Sequence, residues 1–159
     1  MVAGVLWMNS DTGNVVRNYD FKLPHALKQG EFSFTEASGK VAIVNFWATW
    51  CAPCQRELPA LLKLADHLGS SFVLVLISVD EDKQALTGFL KGFDLRLQNV
   101  EVLWDPASSV AGAFGTRQLP ETYIFDRNRR FDRKVLGFID WSNPEVGNYL
   151  LKLKDKSGT

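Results

Sequence analysis

The sequence predicts an α/β protein in which helices cover both faces of a mixed central β-sheet. Two runs of residues, Val41–Trp47 and 72–79, are apolar on both faces, as expected of strands inside a covered sheet. Between them, residues 52–68 carry leucine and alanine at three- and four-residue intervals, a pattern typical of an amphipathic helix. Two buried strands joined by one helix imply a parallel pair with a right-handed connection.

The later elements are expected in the order helix, strand, helix, strand, strand, helix. Asp80, Glu81 and Asp82 open a helix that extends to about residue 93, because acidic side chains stabilise the positive end of a helix. Asn143 and Pro144 fit the N-cap and first position of a last helix, which extends to about residue 154. Between these helices we expect a strand at 100–103, a helix at 108–114, a strand at 122–125 and its hairpin partner at 133–139.

All 159 residues are expected to form one domain, with a core at 41–154 preceded by an extension at 1–40. From residue 9 onward the extension is rich in Asn, Ser, Gly and Thr, and strand-like pieces at 15–16 and 32–34 indicate a hairpin. His25 lies in this polar segment, so we expect it at the surface.

The first eight residues, MVAGVLWM, are apolar, but they are short and lack the basic residues of a complete signal peptide or anchor. They fit either the remainder of a removed leader or an N-terminal strand. The longest apolar run, 72–79, is far shorter than the roughly 20 residues that a membrane-spanning helix needs. The sequence as given therefore predicts a soluble protein, which a removed N-terminal segment would tether to a membrane.

The charges of the chain balance, with 18 Lys and Arg against 18 Asp and Glu. No global field therefore draws the protein towards nucleic acid or an anionic membrane, and no nucleic-acid partner is expected. One basic cluster falls in the expected hairpin turn and is interpreted as a solvated turn rather than a docking patch; it comprises Arg127, Arg129, Arg130, Arg133 and Lys134.

The two cysteines, Cys51 and Cys54, are the residues that most clearly carry chemistry. They are too close together to staple a fold, because the loop that they would close is short. A structural zinc site would need both histidines as well, and His67 lies 16 residues beyond Cys51, on the other side of the helix. Redox chemistry is therefore favoured over metal binding, and neither a metal nor a cofactor is expected.

The sequence WCAPC lies at the junction between a buried strand and a helix. With Pro53 in the first turn, Cys51 is placed at the N-cap, where backbone N–H groups and the helix dipole stabilise a thiolate and lower the pKa of the thiol. Cys51 is therefore the expected nucleophile. Cys54 faces inward, where desolvation keeps it a thiol until it resolves the mixed disulfide. Trp50, immediately before the pair, is expected to flank the substrate groove.

Three segments carry a family resemblance: VNFWATWCAPCQRELP, DFKLPHALKQGEFSFTEASGK and FGTRQLPETYIFDRNRRF. They resemble the bacterial TlpA/ResA/CcmG group of thioredoxin-fold proteins and together cover most of residues 19–150; the PET sequence is most similar to the CcmG-type branch. The resemblance implies a thioredoxin-like fold with an N-terminal extension. It also implies that Pro120 is a cis-proline beside the cysteines and that the backbone of Leu119 pairs with an extended substrate.

Asn45 occupies the position in the strand before the cysteine motif at which cytosolic thioredoxins carry a buried aspartate. A neutral amide cannot accept a proton from Cys54, so another acidic side chain must accept it. The resemblance to ResA-like members points to Glu81, with Asp80 as the competing candidate.

The function implied by the resemblance is thiol-disulfide exchange that reduces disulfides of periplasmic or other extracytoplasmic proteins, with apocytochrome c as a family-level substrate. A membrane thiol protein of the DsbD/CcdA type would supply the electrons, and the protein would be a monomer. Two alternatives remain open: a disulfide oxidant or isomerase on the same fold, and a redox-inactive module that binds thiols or copper.

Overall fold

The computed structural model describes residues 18–156, which form seven strands and four α-helices. The strands are β1 (Lys22–Pro24), β2 (Glu31–Ser33), β3 (Val41–Trp47), β4 (Phe72–Ser78), β5 (Val100–Trp104), β6 (Glu121–Phe125) and β7 (Phe131–Leu136). The helices are α1 (Ala52–Leu68), α2 (Lys83–Leu90), α3 (Ser109–Phe114) and α4 (Pro144–Asp155). None of the helices in this part of the chain has the length and apolar character required to cross a membrane.

Five of the strands form a mixed sheet in the order β5-β4-β3-β6-β7. Strand β3 pairs in parallel with β4, and β4 with β5, whereas β6 is antiparallel to both β3 and β7. Strands β1 and β2 form a separate antiparallel hairpin. The predicted mixed sheet and the parallel pair around α1 are confirmed. The extension contains a hairpin, but residues 31–33 pair with 22–24, which the sequence patterns did not identify as a strand.

Two apolar layers sandwich the sheet. Because side chains alternate along a strand, Ile43 faces the layer formed by α1, α2 and α4, while Val44 faces the layer formed by α3 and the N-terminal hairpin. Helices therefore lie on both faces, as predicted. The second layer is dense in aromatic rings, which comprise Tyr19, Phe21, Phe34, Phe46, Phe114, Tyr123, Phe125 and Phe131.

Two elements end earlier than their sequence patterns indicate. Helix α2 stops at Leu90 instead of about residue 93, because the next turn closes through tighter bonds from Gly92 N–H to the Phe89 carbonyl and from Phe93 N–H to the Leu90 carbonyl. Strand β7 covers 131–136 instead of 133–139. Its end is set by Gly137, whose φ of 72° is a left-handed conformation that glycine adopts without steric cost.

His25 is buried, so its expected surface position is wrong. Only 8% of the residue is exposed, and its Nδ1 atom lies 3.3 Å from Glu101 Oε2 on β5. It forms a bridge with Leu103, while the neighbouring Ala26 N–H donates to the Val102 carbonyl at 2.8 Å. The extension therefore docks along the outer edge of the sheet, which covers backbone groups that would otherwise be open to other chains.

The basic residues around the β6–β7 turn are held by partners within the fold. Arg129 pairs with Asp20, Arg130 with Asp126 at 3.0 Å, and the Arg127 Nε–H donates to the Gly39 carbonyl. These contacts tie the turn to the extension, which favours the interpretation of a solvated turn over that of a docking patch. The strand-like piece at 15–16 and the apolar residues 1–8 lie outside the described residues.

Candidate active site

The first turn of α1 places the two cysteines. Cys51 is the N-cap, with an extended backbone (φ −92°, ψ 105°), and its sulfur accepts the Cys54 N–H at 3.4 Å. Pro53 fits the first turn, where a missing N–H costs no helix hydrogen bond. The Cys51 sulfur therefore lies against the positive end of a helix, an environment that favours a negatively charged sulfur.

A disulfide joins Cys51 to Cys54, whose Cα atoms are 5.3 Å apart. Cys51 is 7% exposed and Cys54 only 2%, so an incoming thiol or disulfide reaches Cys51 more easily. Trp50, directly before the pair, is 70% exposed. The arrangement places Cys51, the more exposed of two buried cysteines, beside an exposed aromatic ring and keeps Cys54 deeper inside.

Glu57 is a buried carboxylic acid that the sequence patterns did not single out. It lies one helical turn after Cys54, is 1% exposed, and accepts hydrogen bonds from Asn45 Nδ2 at 2.9 Å and Trp141 Nε1 at 3.1 Å. Burial raises the pKa of Glu57 from 4.5 to about 7, although the bonds from Trp141, Asn45 and the Ile139 backbone oppose the rise. The group can therefore gain or lose a proton near neutral pH.

Asn45 acts as a donor in this arrangement. Its Nδ2 group also donates to Thr122 Oγ1 at 2.9 Å, so one amide links β3, α1 and β6. The available signal for Glu57 was helical spacing, since a residue three positions after Cys54 and adjacent to Leu58 falls on the apolar stripe of α1. An acid on a buried stripe is rarely placed there without partners.

The Leu119–Pro120 peptide bond is cis, as the resemblance implies. Pro120 is buried, and its carbonyl accepts the Gly137 N–H at 2.9 Å. Leu119 is half-buried, packs against both apolar layers, and lines the same cavity as Trp50.

That cavity has a volume of about 800 Å³ and opens beside the cysteine motif. Glu81 and Asp82, at the start of α2, line it on one side; Arg117, in the loop after α3, lines it on another. The structure therefore brings Trp50, Leu119 and Glu81, which the sequence analysis named as candidates, from three separate loops to one cavity.

Asp80 and Glu81, the two acids named from the sequence, have opposite environments. Asp80 is buried and accepts hydrogen bonds from the Thr49 N–H at 3.0 Å, the Thr49 hydroxyl at 2.6 Å and the Ser78 hydroxyl at 2.6 Å. Glu81 is exposed on the cavity wall. Asp80 is thus committed to holding the strand end, and Glu81 remains open to solvent.

Metal coordination has little support in residues 18–156. No group of three or more His, Cys, Asp or Glu side chains in this range has a geometry that could hold an ion. His67 is exposed on α1, and His25 lies at the outer edge of the sheet on the extension.

Comparison with known proteins identifies a family match over most of the chain. Residues 16–132 match the AhpC/TSA family. The chain is also similar to the thiol-disulfide oxidoreductase ResA of Bacillus subtilis, with 30% identity over 125 residues, or 78% of this chain and 68% of the relative. A ResA of Bacillus cereus is 26% identical over 128 residues, which cover 80% of this chain and 71% of the relative.

The fold also resembles solved structures. The crystal structure of a putative thiol:disulfide interchange protein DsbE from Chlorobium tepidum superposes with a TM-score of 0.74 at 25% identity. The match covers 85% of this chain and 93% of that one. The likeness extends well beyond the cysteine motif to the sheet and its helices.

Proposed function

Because the chain belongs to the AhpC/TSA family and is a thiol-disulfide oxidoreductase, we propose that it reduces disulfides of extracytoplasmic proteins through Cys51 and Cys54. The observation that carries the proposal is the Cys51–Cys54 disulfide at the N-terminus of α1, with one sulfur more accessible than the other. A pair that spans a single helical turn contributes little to the stability of a fold, which leaves redox exchange as its role.

The reaction transfers two electrons from the dithiol to the substrate. The Cys51 thiolate attacks one sulfur of the substrate disulfide, and the other substrate sulfur leaves as a thiolate that takes a proton from solvent. Cys54 then loses its proton and attacks the Cys51 sulfur. The second substrate thiol is released and the Cys51–Cys54 disulfide re-forms, so that substrate is reduced and protein oxidised.

Glu57 is the group that we assign to the proton of Cys54. It follows Cys54 by one turn on the same helix, and its raised pKa of about 7 lets it accept a proton during attack and return it later. Glu81 is the alternative acid named from the resemblance; its exposed position on the cavity wall fits contact with substrate as well as proton transfer.

The substrate contacts follow from the cavity beside Cys51. An extended segment would pair with the backbone of Leu119, next to the cis Pro120, and pack against the exposed ring of Trp50. Such pairing recognises main chain rather than a particular sequence. Apocytochrome c is our proposed substrate among extracytoplasmic disulfide proteins.

The cellular setting is proposed from the same similarity. Extracytoplasmic compartments are oxidising, so a reductant there needs a supply of electrons, for which we propose a membrane thiol protein of the DsbD/CcdA type. We also propose that the protein works as a monomer and that an N-terminal segment tethers it to the membrane.

Replacement of each cysteine tests the reaction. Cys51→Ser is expected to abolish catalysis of insulin reduction by dithiothreitol, because no nucleophile remains, whereas Cys54→Ser should accumulate a mixed disulfide with substrate that is visible on a non-reducing gel. Undiminished turnover in Cys51→Ser would refute the proposal.

The reduction potential of the cysteine pair decides the direction of electron flow. A value well below that of glutathione supports a reductant, and a strongly oxidising value supports the oxidant or isomerase alternative.

A further inference from the structure

An ion pair between a buried carboxylate and a partly exposed lysine lies behind the loop that carries Leu119. Glu121 is 2% exposed, and its Oε2 atom is 3.0 Å from Nζ of Lys134 on the neighbouring strand β7. Lys134 also donates to the Gly115 carbonyl at 3.4 Å, at the end of α3. A carboxylate buried without a cation is strongly disfavoured, so Lys134 compensates the charge of Glu121. Neither residue takes part in the thiol chemistry described above.

The Glu121 carboxylate is also the anchor of the loop between α3 and β6. Its Oε1 atom accepts the Arg117 N–H at 3.4 Å, and its Oε2 atom lies 3.1 Å from the Tyr123 hydroxyl. That hydroxyl is in turn 3.1 Å from Thr116 Oγ1. Glu121 thus holds Arg117 directly and Thr116 through the Tyr123 hydroxyl.

Leu119 lies two residues after Arg117 and two residues before Glu121, the two residues joined by this hydrogen bond. No hydrogen bond between described residues engages its backbone N–H or carbonyl. These groups are therefore open to the main chain of an incoming strand, and their direction is set by the anchored residues on either side.

We propose that Glu121 and Lys134 are positioning residues that orient the unpaired edge at Leu119 for an extended, cysteine-containing polypeptide. The inference rests on the proposed function and deepens it, because it predicts that peptide disulfides and small non-peptide disulfides depend differently on the ion pair. Reduction of a peptide disulfide uses main-chain pairing at Leu119 and therefore depends on the ion pair. Reduction of a small disulfide without a peptide backbone needs only Cys51 and does not.

The test compares reduction of a short synthetic peptide that contains one disulfide with reduction of hydroxyethyl disulfide. In Lys134→Met we expect KM for the peptide to rise roughly tenfold at unchanged kcat, the effect of losing one charge-assisted hydrogen bond. The kcat/KM for hydroxyethyl disulfide should stay at the wild-type value. Lys134→Arg keeps the cation and should restore the peptide KM, and Lys91→Met, an exposed lysine distant from the loop, is the matched control.

Circular dichroism shows whether each variant folds. If Lys134→Met does not, the double variant Glu121→Gln with Lys134→Met, which leaves no unpaired charge, takes its place with the same expected result. An unchanged peptide KM in the folded variant overturns the inference, as do equal losses on both substrates, which indicate a purely structural role. A wild-type protein that reduces neither the peptide nor hydroxyethyl disulfide contradicts the proposed function itself, and with it this inference.

Discussion

At the scale of single residues, the buried carboxyl of Glu57 links stability to acidity. Its pKa rises from 4.5 to about 7 on folding, so between these pH values the folded chain keeps a proton that the unfolded chain has lost. The free energy of unfolding therefore falls as pH rises through this window. At 1.36 kcal/mol for each pKa unit, the free energy of unfolding falls by about 3 kcal/mol across the window.

Glu57→Gln should abolish this dependence, because the amide does not titrate. We expect the difference in unfolding free energy between pH 4.5 and pH 8 to shrink by about 3 kcal/mol relative to the wild type. Urea denaturation of the oxidised protein at the two pH values measures this difference.

Glu57→Gln should also shift the pH profile of Cys54 alkylation in the reduced protein. Glu81→Gln is the matched control on an exposed acid, and an alkylation profile altered only in that variant would assign the proton to Glu81 instead.

Among the elements, α4 shows how a cap defines a boundary. The Asn143 side chain accepts the Glu145 N–H at 2.9 Å, which satisfies a backbone donor that the helix itself cannot reach. The helix then packs Val146, Leu150 and Leu153 into the main apolar layer. The cap therefore anchors an element that covers a large part of one sheet face.

Asn143→Ala is expected to lower the melting temperature by roughly 2–4 °C, the effect of losing about 1 kcal/mol from an N-cap in a domain of this size. Asn143→Ser retains an acceptor and should melt close to the wild type. Scanning calorimetry of the oxidised protein provides the measurement. Equal melting of the alanine variant and the wild type would show that the cap bond contributes nothing.

The elements that were predicted to the residue are those whose signals are local. Strand β3 and helix α1 have the bounds that apolar periodicity indicates, and α4 begins at its asparagine cap. The end of β7 falls at Gly137, whose N–H donates to the Pro120 carbonyl. The glycine is visible in the sequence, but its distant partner is not. The buried position of His25 was missed because its partner on β5 belongs to a distant segment of the chain. Glu57 had a local signal in helical spacing, but its partner Trp141 is equally distant in sequence.

At the scale of the molecule, the cysteines and the proposed substrate contacts lie at one end of the central strands. The ends of β3 and β4, the start of α1 and the loop before β6 meet there. Because the chain has no net charge, no global field is expected to guide partners to that end, and the proposed recognition at Trp50 and Leu119 would depend on direct contact.

The disulfide has a kinetic consequence, because its two cysteines lie three residues apart in one helical turn. Reduction breaks no link between separate helices or strands, so a partner that distinguishes the oxidised from the reduced protein must contact the cysteine motif itself. The proposed electron donor and the proposed substrate would therefore exclude each other, and turnover should follow ping-pong kinetics. Double-reciprocal plots at several donor concentrations are expected to be parallel, whereas lines that converge would reveal a ternary complex with both partners bound at once.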